Sequence, residues 1–345
     1  MTQVRSARRA DALVTSGLAW RGTIASCLTS DTRRGRAFCG GGRRREAAGV
    51  TVSRRGRTYR LTRILFPGRD YRRLDVTGPW DEDCYAAYTA YGCTGVLWRN
   101  GGNTRPPDVA KLPGLRWLEI EGHTRDLSWV SQCADLIALT ARFRVSKGST
   151  RMPAVDVAPL TGLRHLMTAG CRVLGFTELR ELETLDIEVF DPPPPGGPGL
   201  LDGLRSSPSI IRVAATGPLD VDLEAVASAK LEELRLAPAR LRGLEPLGRC
   251  PALSILDVSL PAGTLPLDLT ALSEVPSLAV LIVRGDRPVT SVESLAACPQ
   301  LRYAKITAPR ATAPSSLPAG WSSSQDELRY DRQDSGSGTA TTADP

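Results

Sequence analysis

The stretch Cys250–Ser259, CPALSILDVS, admits two readings. A cysteine ahead of a proline can be a reactive thiol at the start of a helix. It can also be one copy of something that recurs, and repeats are sought before anything else because missing them misassigns the whole fold. Aligned on Leu-x-x-Leu-x-apolar, the stretch has its anchors at Leu253, Leu256 and Val258. The same pattern returns along the chain. LPGLRWLEI carries Leu115, Leu118 and Ile120, and LRELETLDI carries Leu182, Leu185 and Ile187. SAKLEELRL carries Leu231, Leu234 and Leu236, and VPSLAVLIV carries Leu278, Leu281 and Val283. First anchors fall at 115, 136, 163, 182, 210, 231, 253, 278 and 301, in steps of 19 to 28 residues. The longest step holds DPPPPGGPG, 191–199, which reads as a surface loop.

Cys250 is therefore a repeat position. Three residues ahead of the first anchor stand Leu112, Cys133, Leu160, Leu179, Ser207, Ser228, Cys250, Val275 and Cys298. Leucine, valine and cysteine interchange there, as at a small buried apolar site. The eight cysteines lack paired spacing. That pattern fits a reducing compartment better than a disulfide scaffold, so a cytoplasmic location is expected.

The chain resembles the leucine-rich repeat family over residues 94–306, with two weaker copies ahead of it. These are anchored at Thr94 with Leu97, and at Tyr71 with Leu74 and Val76. The resemblance implies an α/β solenoid with a parallel sheet on the concave side and short helices or irregular segments on the convex side. It would also place an Asn three residues after the third anchor. Those positions read His123, Arg144, Cys171, Phe190, Pro218, Ala239, Pro261, Asp286 and Pro309, so the asparagine ladder is absent. One copy cannot bury its own apolar face, whereas a stack shares a continuous core. Helices are expected within 126–136, 222–234, 267–275 and 292–301. Another is expected over 80–92, opened by acids at its positive end.

Charge divides the chain. Residues 1–73 hold 18 Arg against four acids, net +14, and the other 272 residues hold 26 basic against 33 acidic side chains, net −7. A basic arm can bind nucleic acid or an anionic surface. Only four of the 44 basic residues are Lys, however, and Arg, Ala, Gly and Pro are abundant throughout. A GC-rich coding sequence produces the same pattern. The organisation reads as a disordered basic arm over 1–57, a cap over 58–93, repeats over 94–310 and a disordered tail over 311–345. Within the arm, Ile24-Ala25-Ser26-Cys27 has the form of a lipoprotein cleavage box, although Arg21 interrupts its approach. Translation from near Val50 or Val52 is an alternative. No run of about 18 apolar residues exists, so no membrane span is expected.

Chemistry-bearing motifs are sparse. The two histidines, His123 and His165, have no motif around them, and no Cys-x-x-Cys occurs. CGGGRRR lacks the Lys-Ser/Thr of a phosphate loop. No enzyme activity, small-molecule substrate, cofactor or metal is expected. The resemblance points instead to a protein-binding scaffold with a partner of unknown identity on the concave face, and nucleic-acid binding through the arm is the alternative. Trp98 and Trp117 fall at equivalent outward positions of adjacent copies and should form an exposed aromatic pair, with Glu119 and Glu121 as an acidic rim. Arg142, His165 and Asp186 extend the same face, so the N-terminal half is the expected partner site.

Overall fold

In the computed structural model, contacts divide the chain into two units, Met1–Arg45 and Glu46–Pro345. The structure describes residues 45–46, 50–54, 57–66, 69–100, 105–123, 126–144, 152–190, 201–260, 266–308, 320–324 and 327–331. Nearly all of these belong to the second unit.

That unit is built on one long sheet. The two-residue strand Arg45–Glu46 (β1) falls at the division between the units, and the N-terminal strands of the second are Val50–Arg54 (β2), Arg57–Phe66 (β3) and Arg69–Thr77 (β4), which pair antiparallel. Helix α1, Glu82–Ala90, follows. The Asp81 carboxylate accepts a hydrogen bond from the Cys84 amide at 3.1 Å and caps it, with Glu82 and Asp83 in its first turn. Cys84, Ala87 and Tyr88 are its buried face.

Parallel strands then succeed one another. They are Gly95–Asn100 (β5), Trp117–Gly122 (β6), Ala138–Phe143 (β7) and, beyond a short outer strand Ala154–Asp156 (β8), His165–Ala169 (β9). Arg172–Leu174 (β10) pairs with β8 outside the main sheet. Thr184–Glu188 (β11), Arg212–Thr216 (β12), Glu233–Ala237 (β14), Ile255–Leu260 (β16), Val280–Gly285 (β18) and Tyr303–Thr307 (β20) continue the main sheet. The outer strands Asp220–Val221 (β13) and Arg240–Leu241 (β15) form one pair, and Leu267–Asp268 (β17) and Val289–Thr290 (β19) another. Trp321–Ser324 (β21) and Glu327–Asp331 (β22) close the far edge.

Register explains why the stack holds. Leu166, Leu185, Val213, Leu234, Leu256, Leu281 and Ala304 are paired in sequence across neighbouring strands. Each is at most 1% exposed. Side chains alternate along a strand, so the anchors face one way and the intervening residues the other. Strands β9, β11, β12, β14 and β20 show this as a strict alternation of half-buried and buried positions. The inward rows merge into one continuous core. At the strand ends Gly217 and Gly285 hold φ of +124° and +142°, and a Cβ at either would lie 1.9 Å from the Val189 or Leu260 carbonyl oxygen. Only glycine lets the neighbouring backbone approach that closely.

The convex side carries short helical turns and irregular segments. The segments anticipated as helices are 3-10 turns, at Ser128–Gln132, Leu223–Ala225, Thr270–Glu274 and Val292–Ala297. With roughly 20 residues per repeat, too few remain between strands for the three turns of an ordinary helix. Where asparagines would ladder, the short β8–β10, β13–β15 and β17–β19 pairs supply backbone hydrogen bonds instead.

Two expected disordered regions contain strands. Within the arm, β2 and the start of β3 form because Val52 alternates inward and packs on the core. Residues 1–44 lie outside the described residues. In the polar tail, β22 pairs antiparallel with β20. Leu328 is 2% exposed, and the Trp321 and Tyr330 rings pack with centroids 5.3 Å apart. The hairpin thereby satisfies the backbone edge that a last repeat would otherwise leave open.

All six described cysteines, Cys84, Cys93, Cys133, Cys171, Cys250 and Cys298, are buried free thiols. Burial pushes the Cys133 and Cys171 thiols up to about 12 and Cys93 to about 11. Thiolate is the reactive form, so these groups are doubly protected, by access and by protonation. In the folded protein at pH 8, alkylation followed by peptide mass mapping is expected to leave all six unmodified, and denaturant is expected to expose all six.

Candidate functional site

Strand parity decides which side chains can meet a partner. At β5 the sequence alignment is off by one residue. Val96 and Trp98 pair with Leu118 and Ile120 and face inward, with Cys93 at the first anchor. Trp98 is fully buried, its ring edge-on to Trp129 at 6.1 Å, and its Nε1–H donates to the Gly78 carbonyl at 2.9 Å. Cys93-x-x-Val96-x-Trp98 fits the repeat as well as the Thr94 and Leu97 alignment does. Placing Trp98 outward exposes a large ring, and the inward register buries it.

Trp117 does face the concave side, yet it is only 2% exposed. It belongs to a second small apolar cluster with Ile64, Tyr71 and Ala138, and the Tyr71 ring lies 6.2 Å away. Its Nε1–H donates to Glu119 Oε1 at 2.7 Å. Arg73 completes the arrangement, donating to Asp75 at 2.7 Å and to Glu119 at 2.8 Å with all three side chains buried. The two tryptophans therefore lie on opposite faces of the sheet and form no exposed pair. Glu119 is the counter-ion of a buried arginine, not part of an acidic rim.

The remaining sequence candidates stay at the surface. Glu121 pairs with Arg99 at 3.1 Å and with Arg142 at 3.6 Å. Arg142 also reaches the Met167 sulfur at 2.8 Å. His165 Nε2 lies 3.8 Å from Glu183, and Asp186 is half-buried between Met167 and Ala214 in register. Among the described residues, no group of three His, Cys, Asp or Glu side chains could hold a metal ion. No helix among them is long and apolar enough to cross a membrane.

Further along, the concave face acquires a different character. Its register rows run Arg212–Glu233–Ile255–Val280–Tyr303 and Ala214–Arg235–Asp257–Ile282–Lys305. Arg284 stands in the next row beside Ser259. Glu233 pairs with Arg235 at 2.6 Å and Arg212 at 3.5 Å, and Asp257 accepts from Arg284 Nη1 at 2.9 Å. Asp257 is fully buried, and among the described residues its Oδ2 and the neighbouring Ser259 hydroxyl find no hydrogen-bond partner. Burial outweighs the Arg284 and Arg235 charges and pushes the Asp257 carboxyl up to about 6. Each of these residues is visible in sequence as an outward position. Their burial order and pairing are not.

Two consequences are measurable. Trp117→Ala empties a packed site and removes one of the donors to Glu119, leaving the Arg73 contact, so a loss of about 3–5 kcal/mol of folding stability is expected in urea titration. Asp257 carries a pH signature. Its folded value is raised above the unfolded value of about 3.9, so its contribution is fully present below about pH 4 and lost as pH rises through about 6. The shift is about two units, or about 3 kcal/mol at most. The stability of Asp257→Asn relative to the parent is expected to increase between pH 4 and pH 7.5, and a constant difference would contradict the burial argument.

No protein-family model and no curated protein matches the chain. Among solved structures it is similar to an internalin (inlF) of Listeria monocytogenes, at 13% identity over 67% of this chain and 86% of that one, with a TM-score of 0.39. An internalin C2 (inlC2) of the same organism gives 18% identity over 64% and 91%, with a TM-score of 0.42. A leucine-rich repeat protein of Leptospira interrogans gives 12% over 69% and 80%, with a TM-score of 0.34. At such values the assignment rests on the chain's own regularities. The recurring anchors, their in-register pairing and their shared core make this chain a leucine-rich repeat solenoid.

Proposed function

We propose that the chain is a protein-binding scaffold whose partner docks on the concave face over strands β12 to β20. One observation carries the reading. Ile255, Val280 and Tyr303, each half-buried, stand side by side on three adjacent strands, with Ile282 buried beside them, on the face opposite the core. The core already has its own apolar row, so the fold does not require a second one pointing outward. A contiguous apolar surface rimmed by charge is the usual mark of an interaction site. Here the rim is Arg212, Arg235, Arg284 and Lys305, with a tyrosine at one end, and Tyr and Arg concentrate interface energy. This moves the site from the N-terminal half, where Trp117 and Glu119 are buried, to the C-terminal half.

Nothing in this arrangement calls for catalysis. Arg212, Glu233, Arg235, Asp257 and Arg284 engage one another as ion pairs rather than as a nucleophile with a base and its orienting group. The test is affinity purification of tagged parent and tagged Val280→Glu from the source organism, followed by mass spectrometry. Val280 is half-buried and outward, so the variant is expected to melt within a few degrees of the parent while losing the partner. A partner retained equally by both would move the site off this face.

A further inference from the structure

The charges of the concave face are sorted by depth. In each ion pair of β12 to β18 the carboxylate is the submerged member. The Glu233 side chain is 14% exposed against 27% for Arg212 and 34% for Arg235, and Asp257 is 1% exposed against 30% for Arg284. Three guanidiniums thus overlie two carboxylates. Counted by residue the patch is nearly neutral. Read from the solvent side, it presents cations. A guanidinium has five N–H donors in a planar fork, and one carboxylate below engages only part of them.

The apolar row lies beside these cations. Arg212 and Glu233 lead directly into Ile255 and Val280 along one register row, and Arg235 and Asp257 into Ile282 along the next. Five strands from β12 to β20, spaced about 4.8 Å apart, span about 19 Å, the reach of about six extended residues. A ligand segment crossing the strands would meet guanidiniums at one end and aliphatic side chains at the other.

We propose that the segment this face takes up is an acidic, apolar stretch of polypeptide. Its carboxylates would sit on Arg212 and Arg235 and its apolar side chains on the half-buried Ile255 and Val280. The proposal rests on the concave-face reading above and specifies the chemistry of its partner. Glu233 and Asp257 do not repel such a segment strongly, because each is covered by its own arginine. They fix the guanidiniums in place before binding, which lowers the ordering cost of the charged contacts. A basic segment would have to displace those arginines to reach either carboxylate.

The probe is a random twelve-residue peptide library displayed on phage and selected against the full chain, which carries a photo-cross-linking amino acid at Val280. Enriched peptides are synthesised with a fluorescent label and titrated by anisotropy against the parent, Arg235→Glu and, as a control on the other side of the solenoid, Arg249→Glu. Enriched peptides are expected to carry acidic residues in excess and to cross-link at position 280. They are expected to bind Arg235→Glu at least tenfold more weakly, to bind Arg249→Glu unchanged, and to weaken as salt rises. If Arg235→Glu melts early, Arg235→Gln and Arg212→Gln replace it, with a threefold or greater loss expected for each. Peptides that cross-link at 280 without an acidic excess, or that bind the arginine variants as tightly as the parent, would overturn the acidic partner and leave the concave-face reading standing. Failure to enrich any peptide, or cross-linking confined to other surfaces, would overturn both.

Discussion

The structure depends on one constraint, the pairing of each strand with its neighbour at a register that keeps all anchors on the same side. A slip of one residue would turn every leucine of a strand out of the core and every outward residue into it. Leu256 shows the dependence directly. It is flanked in register by Leu234 and Leu281, all three fully buried, so no repeat has a complete core of its own. Stability in such a stack is a sum of weak units and the interfaces between them. The two ends need separate solutions, which the α1 helix with the β3–β4 ribbon and the β21–β22 hairpin supply.

The same parity distributes polar chemistry. Inward positions are filled mostly by apolar side chains and small thiols, with Thr168 and Ser207 as buried hydroxyls among them, and cysteine takes the place of leucine ahead of three strands. Outward positions are free of that demand and diverge along the solenoid. Toward the N-terminus they have become a second interior, with Arg73 neutralised by Asp75 and Glu119 beneath Tyr71 and Trp117. Removing one partner of such a network leaves an uncompensated buried charge, so it fixes a unique arrangement more than it adds net stability. Toward the C-terminus most outward positions keep partial exposure and combine cations with aliphatic side chains, while Asp257 and Ile282 are buried among them. The proposed recognition surface lies where the fold has not used the face for itself.

Asp257 lies at the centre of that surface. Its carboxyl is fully buried, and burial holds its pKa near 6 despite two neighbouring arginines.

The sequence alone determined the solenoid. The anchors at 115 to 301, their spacing and the interchange of Leu, Val and Cys can satisfy burial in a stack and in few other ways. It also determined which residues alternate outward from Trp117 onward, because the period of two is local. It could not locate the register of β5, where Cys93, Val96 and Trp98 compete with Thr94 and Leu97 and only the buried contact of Trp98 with Trp129 selects between them. Nor could it distinguish an outward residue from an exposed one. Trp117 is outward and buried because Tyr71 and Ile64, far earlier in the chain, fold against it. Likewise Glu233 and Arg235 read as equivalent surface charges until neighbouring strands set one beneath the other. Periodicity is written within a few residues, whereas depth is set by whatever distant segments come to lie alongside, and that only the tertiary structure decides.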